Sequence, residues 1–317
     1  MLAIVCPGQG SQTPGFLSPW LELPGLREQA AALSAAADVD LVAHGTASDA
    51  DTIRDTAVAQ PLIVGAGLLA LGALFADQPA TLAGTTSVTA GHSVGEITAA
   101  AVAGVLSHAD ALALVTVRGR AMARASALTP TGMSAVVGGD PGEVLEVLER
   151  HGLTPANVNG AGQVVAAGTA EQLAALSADP PARARVIPLQ VAGAFHTEHM
   201  GPAVDAMSER ASGLETHDPQ VALLSNADGA VVRDGVAVVA RLVTQVSNPV
   251  RWDLCMETMT SLGVTGLIEL APAGTLAGLA KRAMKGVELV ALKTPDDLEA
   301  AHALVRHHST VNPEDRP

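Results

Sequence analysis

Apolar and polar residues alternate along the chain in blocks whose lengths separate strands from helices. Residues 2–6 (Leu-Ala-Ile-Val-Cys) form an apolar run of strand length, followed by Pro7-Gly8-Gln9-Gly10-Ser11-Gln12, a loop that exposes backbone N–H groups. Residues 56–76 read as a buried Ala/Gly/Leu helix with Pro61 near its start, and residues 86–90 as a strand ending at Gly91. Helices are expected from Gly95 to Val105 and from Ala109 to Ser126. Strands and helices in alternation indicate a mainly parallel sheet with helices on both faces.

The middle of the chain changes rhythm. Gly132–Gly138 is a strand, and Pro141–His151 an amphipathic helix with Val144, Leu145 and Leu148 on one side. Asn157–Gly168 holds two short strands around Gly160-Ala161-Gly162; Ala170–Leu176 is helical and Arg185–Leu189 a strand. The order β-α-β-β-α-β is the ferredoxin-like pattern. This places a small inserted subdomain at residues 128–193, within a core formed by 1–127 and 194–306. Further strands are expected at 221–225 and 266–270 and a helix at 274–285, with a polar, fraying tail at 307–317.

Composition narrows the class. Of 317 residues, 48% are hydrophobic but only 2% aromatic, so Ala, Val and Leu must build the core, which suits layered α/β packing. A net charge of −14 argues against nucleic acid as a partner and against an anionic membrane surface. No stretch approaches the length of a transmembrane helix, and Met1-Leu2-Ala3-Ile4-Val5 reads as a first strand, not a signal peptide. The two cysteines, Cys6 and Cys255, make no disulfide framework, so a cytoplasmic location is expected. Cys6, in an apolar run, reads as a small buried hydrophobe in preference to a reactive thiol.

Gly91-His92-Ser93-Val94-Gly95 fits Gly-x-Ser-x-Gly, in which the serine sits on a sharp strand-to-helix turn and the helix aims its positive end at the site. The same residues also fit a structural turn with an N-cap serine. A nucleophilic serine needs a base. Of ten histidines, His92 adjoins the serine, His307 and His308 are in the tail, and His44, His108, His151 and His217 lie beside surface turns. His196 follows the last strand of the insert, where the chain re-enters the core; His199 is its competitor. Ala111, Val115, Arg118 and Met122 share one helical stripe, which points Arg118 inward, whereas Arg120 and Arg124 lie on another face. A buried guanidinium needs a partner, either an internal acid or an anionic substrate held through two parallel hydrogen bonds. No Cys/His spacing suggests a metal.

These segments together carry a family likeness. Pro7-Gly8-Gln9-Gly10-Ser11-Gln12, Gly91-His92-Ser93-Val94-Gly95-Glu96, Arg118-Gly119-Arg120-x-Met122, Gly193-Ala194-Phe195-His196 and Ser247-Asn248-Pro249-Val250 occur in the order seen in malonyl-CoA:acyl-carrier-protein transacylases, and Gln60-Pro61, Asn157-x-Asn159 and Glu269-Leu270-Ala271-Pro272 add to it. The chain resembles that family over residues 2–292, with Val94 in place of the usual Leu and Ala271 in place of Gly. The resemblance implies an α/β, hydrolase-like core with an inserted ferredoxin-like subdomain. It implies Ser93 as nucleophile, His196 as base, the backbone carbonyl of Gln245 as orienter of that histidine, and the N–H groups of Gln9 and Val94 as oxyanion hole. Arg118 would bind the malonyl carboxylate; Phe195 marks the malonyl-selective version of its motif, and Gln60 and Asn159 are further pocket candidates. Malonyl-CoA and acyl carrier protein are the implied partners, with coenzyme A thioester as substrate and no cofactor. Basic groups at Lys281, Arg282, Lys285 and Lys293, or at Arg183 and Arg185, are candidates for docking an acidic carrier. A serine hydrolase and a non-catalytic scaffold subunit are the competing readings. A polyketide carrier or a malonate decarboxylase assembly are other settings for the same chemistry; a freestanding domain favours fatty-acid synthesis.

Overall fold

The computed structural model describes residues 1–76 and 86–308. The first part of the chain folds as β1 (Leu2–Cys6), α1 (Leu26–Ala37), α2 (Leu41–Thr46), α3 (Thr56–Phe75), β2 (Val88–Gly91), α4 (Gly95–Val102) and α5 (His108–Ser126). The middle part comprises β3 (Thr131–Gly138), α6 (Pro141–Arg150), β4 (Thr154–Gly160), β5 (Gln163–Thr169), α7 (Ala170–Ala178) and β6 (Ala184–Pro188). Then follow α8 (Gly201–Ala211), β7 (Ala222–Leu224), β8 (Val231–Val232), α9 (Gly235–Gln245), β9 (Val250–Arg251), α10 (Trp252–Ser261), β10 (Gly266–Glu269), α11 (Thr275–Ala283), β11 (Glu288–Ala291) and α12 (Leu298–His308).

The large sheet has the order β11-β10-β1-β2-β7-β8, parallel except for the final β7–β8 pair. Its central strand explains the apolar run at the start of the chain. Leu2, Ile4 and Cys6 pack into one core and Ala3 and Val5 into another on the opposite face, so alternate side chains are buried on both sides. The second sheet, β6-β3-β5-β4-β9, has the ferredoxin-like strand order over β3–β6 and its own small core around Val136, Val147, Leu148 and Leu176. Its fifth strand is β9, from residues 250–251, which pairs in parallel with β4. The returning chain is thereby stitched to the insert.

Four details differ from the expectations above. The buried face of α6 is Val144, Val147 and Leu148, and Leu145 is 43% exposed, because the 3.6-residue period carries it off the stripe. His307 and His308 belong to α12 and not to a tail; residues 309–317 lie outside the described residues. Helices α1, α2, α8, α9, α10 and α12 and strands β8, β9 and β11 are additional to the elements anticipated. Finally, α3 is 20 residues long with mean hydropathy 2.0, enough to cross a membrane by length and composition, although Gln60, Pro61 and its glycines interrupt the run. Of its most apolar window 78% is buried inside the fold, so it is a core helix.

Glu269, at the end of β10, is fully buried and its carboxylate accepts from the N–H groups of Gly274 (2.9 Å), Leu276 (3.0 Å) and Ala277 (2.8 Å). A carboxylate on the first turn of a helix satisfies orphan donors and opposes the helix dipole. Glu269→Ala should lower unfolding free energy by about 3 kcal/mol, read from urea denaturation, because those donors would be left buried and unpaired. A change under about 0.5 kcal/mol would show that water replaces the cap.

Candidate active site

The parallel strands end at one edge, where ligands bind in folds of this type. From that edge β1 leads into the Gln9 loop, β2 into Ser93, and β7 into Asn226. The turn at Ser93 is tight. A Cβ on Gly91 would lie 1.9 Å from the carbonyl carbon of Gly95, and one on Gly95 would lie 2.2 Å from the carbonyl oxygen of Cys6. Only glycine at both positions lets the helix α4 start directly over the sheet. Ser93 itself takes φ 54°, a left-handed conformation that costs a non-glycine residue strain and lifts its hydroxyl off the sheet.

Ser93 Oγ lies 2.7 Å from His196 Nε2. His196 Nδ1 donates to the backbone carbonyl of Gln245 at 2.9 Å, which leaves Nε2 as the acceptor for the serine proton. His196 also has positive φ, 62°, and is 3% exposed. Burial, then the positive charge of Arg118, hold its pKa down at about 3, so the ring is neutral at neutral pH. His199 makes no contact with Ser93 among the described residues; its N–H donates to Thr197 Oγ in a short turn.

Arg118 is 1% exposed and inward, as its stripe with Ala111, Val115 and Met122 requires; all four are buried. Nη1 donates to Gln60 Oε1 (2.8 Å), and Nη2 donates to Gln245 Oε1 (2.7 Å) and to Ser93 Oγ (3.3 Å). Its ligands are amides and a hydroxyl, with no carboxylate in ion-pair contact among the described residues. Burial pulls its pKa down to about 10, which still leaves it cationic. Arg120 and Arg124 are exposed, and Arg120 pairs with Asp38.

A cavity of about 90 Å³ opens between the two sheets. Gln9, Gln60, Ser93, Val94 and Arg118 line it from the core, and Met133, Asn157, Leu189, Val191 and Phe195 from the other side. The backbone N–H groups of Gln9 and Val94 have no hydrogen-bond partner among the described residues. Asn159 stands behind the wall. Its Oδ1 meets His92 Nε2 at 2.8 Å and its Nδ2 donates to Gln163, so it braces His92 while Asn157 reaches the cavity. His92 is half-buried, loss of solvent around its ring lowers its pKa, and it packs edge-on to Trp252. Cys6 is fully buried, and burial raises its thiol pKa, so it is inert.

Residues that sequence reasoning passed over also shape the site. The N–H of Ser93 donates to Asn226 Oδ1 (2.8 Å), Asn226 Nδ2 donates to the Gly91 carbonyl (2.7 Å), and the N–H of Asn226 donates to Glu96 Oε1 (2.7 Å). The position of Asn226 just past a strand at the carboxyl edge is the signal that could have found it.

This fold and constellation define the class: an α/β enzyme of acyl transfer, with a strained serine facing a neutral histidine and a buried cation. Known proteins agree. The acyl transferase domain family matches residues 3–300. The chain is 54% identical over 299 residues, 94% of its length and 98% of the relative's, to the malonyl CoA-acyl carrier protein transacylase of Mycobacterium tuberculosis (strain ATCC 25618 / H37Rv). The crystal structure of MCAT from Mycobacterium tuberculosis is similar, with TM-score 0.91 at 52% identity, covering 95% of this chain and 99% of that one. A type II PKS acyl-carrier protein in complex with its malonyl-transacylase is similar too, with TM-score 0.87, 30% identity and coverage of 95% and 99%. The chain belongs to the malonyl CoA-acyl carrier protein transacylase family.

Proposed function

We propose that the protein transfers a malonyl group from malonyl-CoA, through an ester on Ser93, to the phosphopantetheine thiol of acyl carrier protein in fatty-acid synthesis. The observation that carries this reading is the position of Ser93 Oγ, 2.7 Å from His196 Nε2 and 3.3 Å from Arg118 Nη2. A nucleophile, its base and a cation for a carboxylate thus share one small cavity.

His196 takes the Ser93 proton as Oγ attacks the thioester carbonyl. The N–H groups of Gln9 and Val94 donate to the oxyanion, the carbon–sulfur bond breaks, and the His196 proton passes to the leaving thiolate of coenzyme A. The carrier thiol then gives its proton to His196 and attacks the seryl ester, and the collapsing intermediate returns that proton to Ser93. The order of events is ping-pong. Arg118 holds the malonyl carboxylate with two parallel hydrogen bonds, exchanging Ser93 for it, and Gln60 and Gln245 steady the guanidinium. Phe195 closes the wall beside the acyl group, against bulkier acyl chains. Side chains and backbone handle every proton and charge in this cycle, so the proposed reaction draws on no cofactor or metal. Cys6 and Cys255, buried and not joined in a disulfide, suit a cytoplasmic protein, and the net charge of −14 suits neither nucleic acid nor an anionic membrane as partner.

The test is the intact mass after incubation with malonyl-CoA alone. One malonyl group should be gained. Steady release of coenzyme A without an adduct would instead mean a hydrolase.

For carrier docking, Arg183 and Arg185 are exposed on and beside β6, the strand that leads to Leu189 and Val191 in the cleft wall. The other basic group is exposed as well, with Lys281 and Arg282 on α11, Lys285 just past its end and Lys293 after β11. Reversing both Arg183 and Arg185 to Glu should raise the KM for an acidic carrier about tenfold, while acylation by malonyl-CoA changes less than about twofold. An unchanged carrier KM would transfer the role to Lys281 and Lys285, tested by the same reversal.

A further inference from the structure

Behind the reacting groups lies a buried carboxylate that the proposed cycle does not use. Glu96, in the first turn of α4, is 5% exposed. One of its oxygens accepts from the N–H of Asn226, and the other accepts from Gln245 Nε2. Gln245 Nε2 also donates to the Ser93 carbonyl at 2.9 Å, while Gln245 Oε1 accepts from Arg118 at 2.7 Å. The amide can sit only one way round. A guanidinium only donates and an ionised carboxylate only accepts, so Oε1 must face Arg118 and Nε2 must face Glu96. Asn226 completes the ring by holding the N–H of Ser93.

We propose that Glu96 is a positioning residue for acyl-group selection: through Gln245 it aims Arg118 at the acyl carboxylate, and through Asn226 it holds the Ser93 turn. Three observations support it. The charge of Glu96 is the buried negative charge that offsets Arg118, and the two meet through the Gln245 amide and not directly, so the guanidinium keeps capacity for a substrate anion. Ser93 holds a strained φ, which persists only where surrounding contacts enforce it. Burial raises the Glu96 pKa, and the donors Asn226 and Gln245, then the charges of Arg118 and Arg241, oppose that rise and leave it at about 7. A carboxylate kept buried at that cost, with both oxygens committed to the ring around the nucleophile, orients what it touches.

The inference rests on the malonyl-transfer reading, and its test separates the two. Ser93 acylation is followed by mass with malonyl-CoA and with acetyl-CoA, on wild type and Glu96→Gln. Glutamine keeps the shape of Glu96 and can keep its carbonyl on the N–H of Asn226, which sets its NH2 where Gln245 Nε2 had an acceptor. The Gln245 amide then turns and sets a donor against Arg118. Malonyl kcat/KM should fall about 100-fold and acetyl kcat/KM less than about threefold, so the preference for malonyl narrows. An unchanged malonyl-to-acetyl ratio overturns the proposal, whether both rates fall together or neither does. If Glu96→Gln does not fold, Gln245→Met replaces it: the backbone carbonyl on His196 stays, only the amide is lost, and the same narrowing is expected. Wild-type protein that takes no malonyl group would defeat the functional reading itself, whatever the variants do.

Discussion

Replacing Ser93 with alanine should abolish the malonyl adduct and lower transfer about 10⁴-fold or more, because removing the nucleophile leaves only binding and the oxyanion donors to act. The fold should survive, since alanine tolerates the turn as well as serine does and the backbone contacts of residue 93 to Asn226 and Gln245 remain. The measurement is intact mass with malonyl-CoA, then coupled transfer to a carrier. A wild-type adduct that vanishes in the variant places the ester on Ser93. Transfer within about tenfold of wild type would remove Ser93 from the chemistry, and the strained turn would then be structural. The arrangement makes this effect large. His196 is poised neutral, with its only free nitrogen on Oγ and its other nitrogen fixed by the Gln245 carbonyl. No second hydroxyl stands in reach of that nitrogen among the described residues, so no other group inherits the role.

The second large effect is expected at Arg118. Arg118→Ala should lower malonyl transfer about 10³-fold or more while acetyl transfer stays within about tenfold, because a site built to pair with a substrate group discriminates strongly against its absence. The physical reason lies in the guanidinium's partners. In the free protein it holds Gln60, Gln245 and Ser93, all neutral acceptors. A carboxylate gives the cation an opposite charge where it had only neutral acceptors, whereas a methyl group offers nothing and leaves the buried cation without an anion. Removing Arg118 also relieves His196 of the positive charge that lowers its pKa, which helps acetyl transfer survive. Arg118→Lys should recover only part of the malonyl rate, since an ammonium lacks the planar fork. Equal losses of malonyl and acetyl transfer would mean that Arg118 supports the turn and does not select the acyl group.

Sequence alone made the most of short-range periodicity. The run 2–6, the turn 91–95 and the stripe Ala111–Val115–Arg118–Met122 were legible because a strand period of 2 or a helical period of 3.6 ties each residue's direction to its near neighbours. The inserted subdomain was legible for the same reason, from a change in the rhythm of short elements. Helix α1 was not. It is rich in alanine on both faces, so its buried stripe of Leu26, Ala30, Leu33 and Ala37 differs little from the exposed side. The expectation that no stretch approaches the length of a membrane span fails at α3, because burial inside the fold, not length or composition, is what distinguishes that helix.

The chain by itself therefore determined which groups could react and which way Arg118 faces. Tertiary structure decided what those groups touch. Ser93 meets His196 across 103 residues, Glu96 meets Gln245 across 149, and Ser93 meets Asn226 across 133. Contacts over such separations carry no local pattern, because they arise only when β2, β7 and α9 are packed at one edge of a sheet. That packing also settled whether Arg118 has an internal acid: Glu96 is close enough to balance its charge, yet the Gln245 amide stands between them. Pairing through an amide depends on the mutual placement of side chains from three separate elements, and no spacing along the chain encodes it.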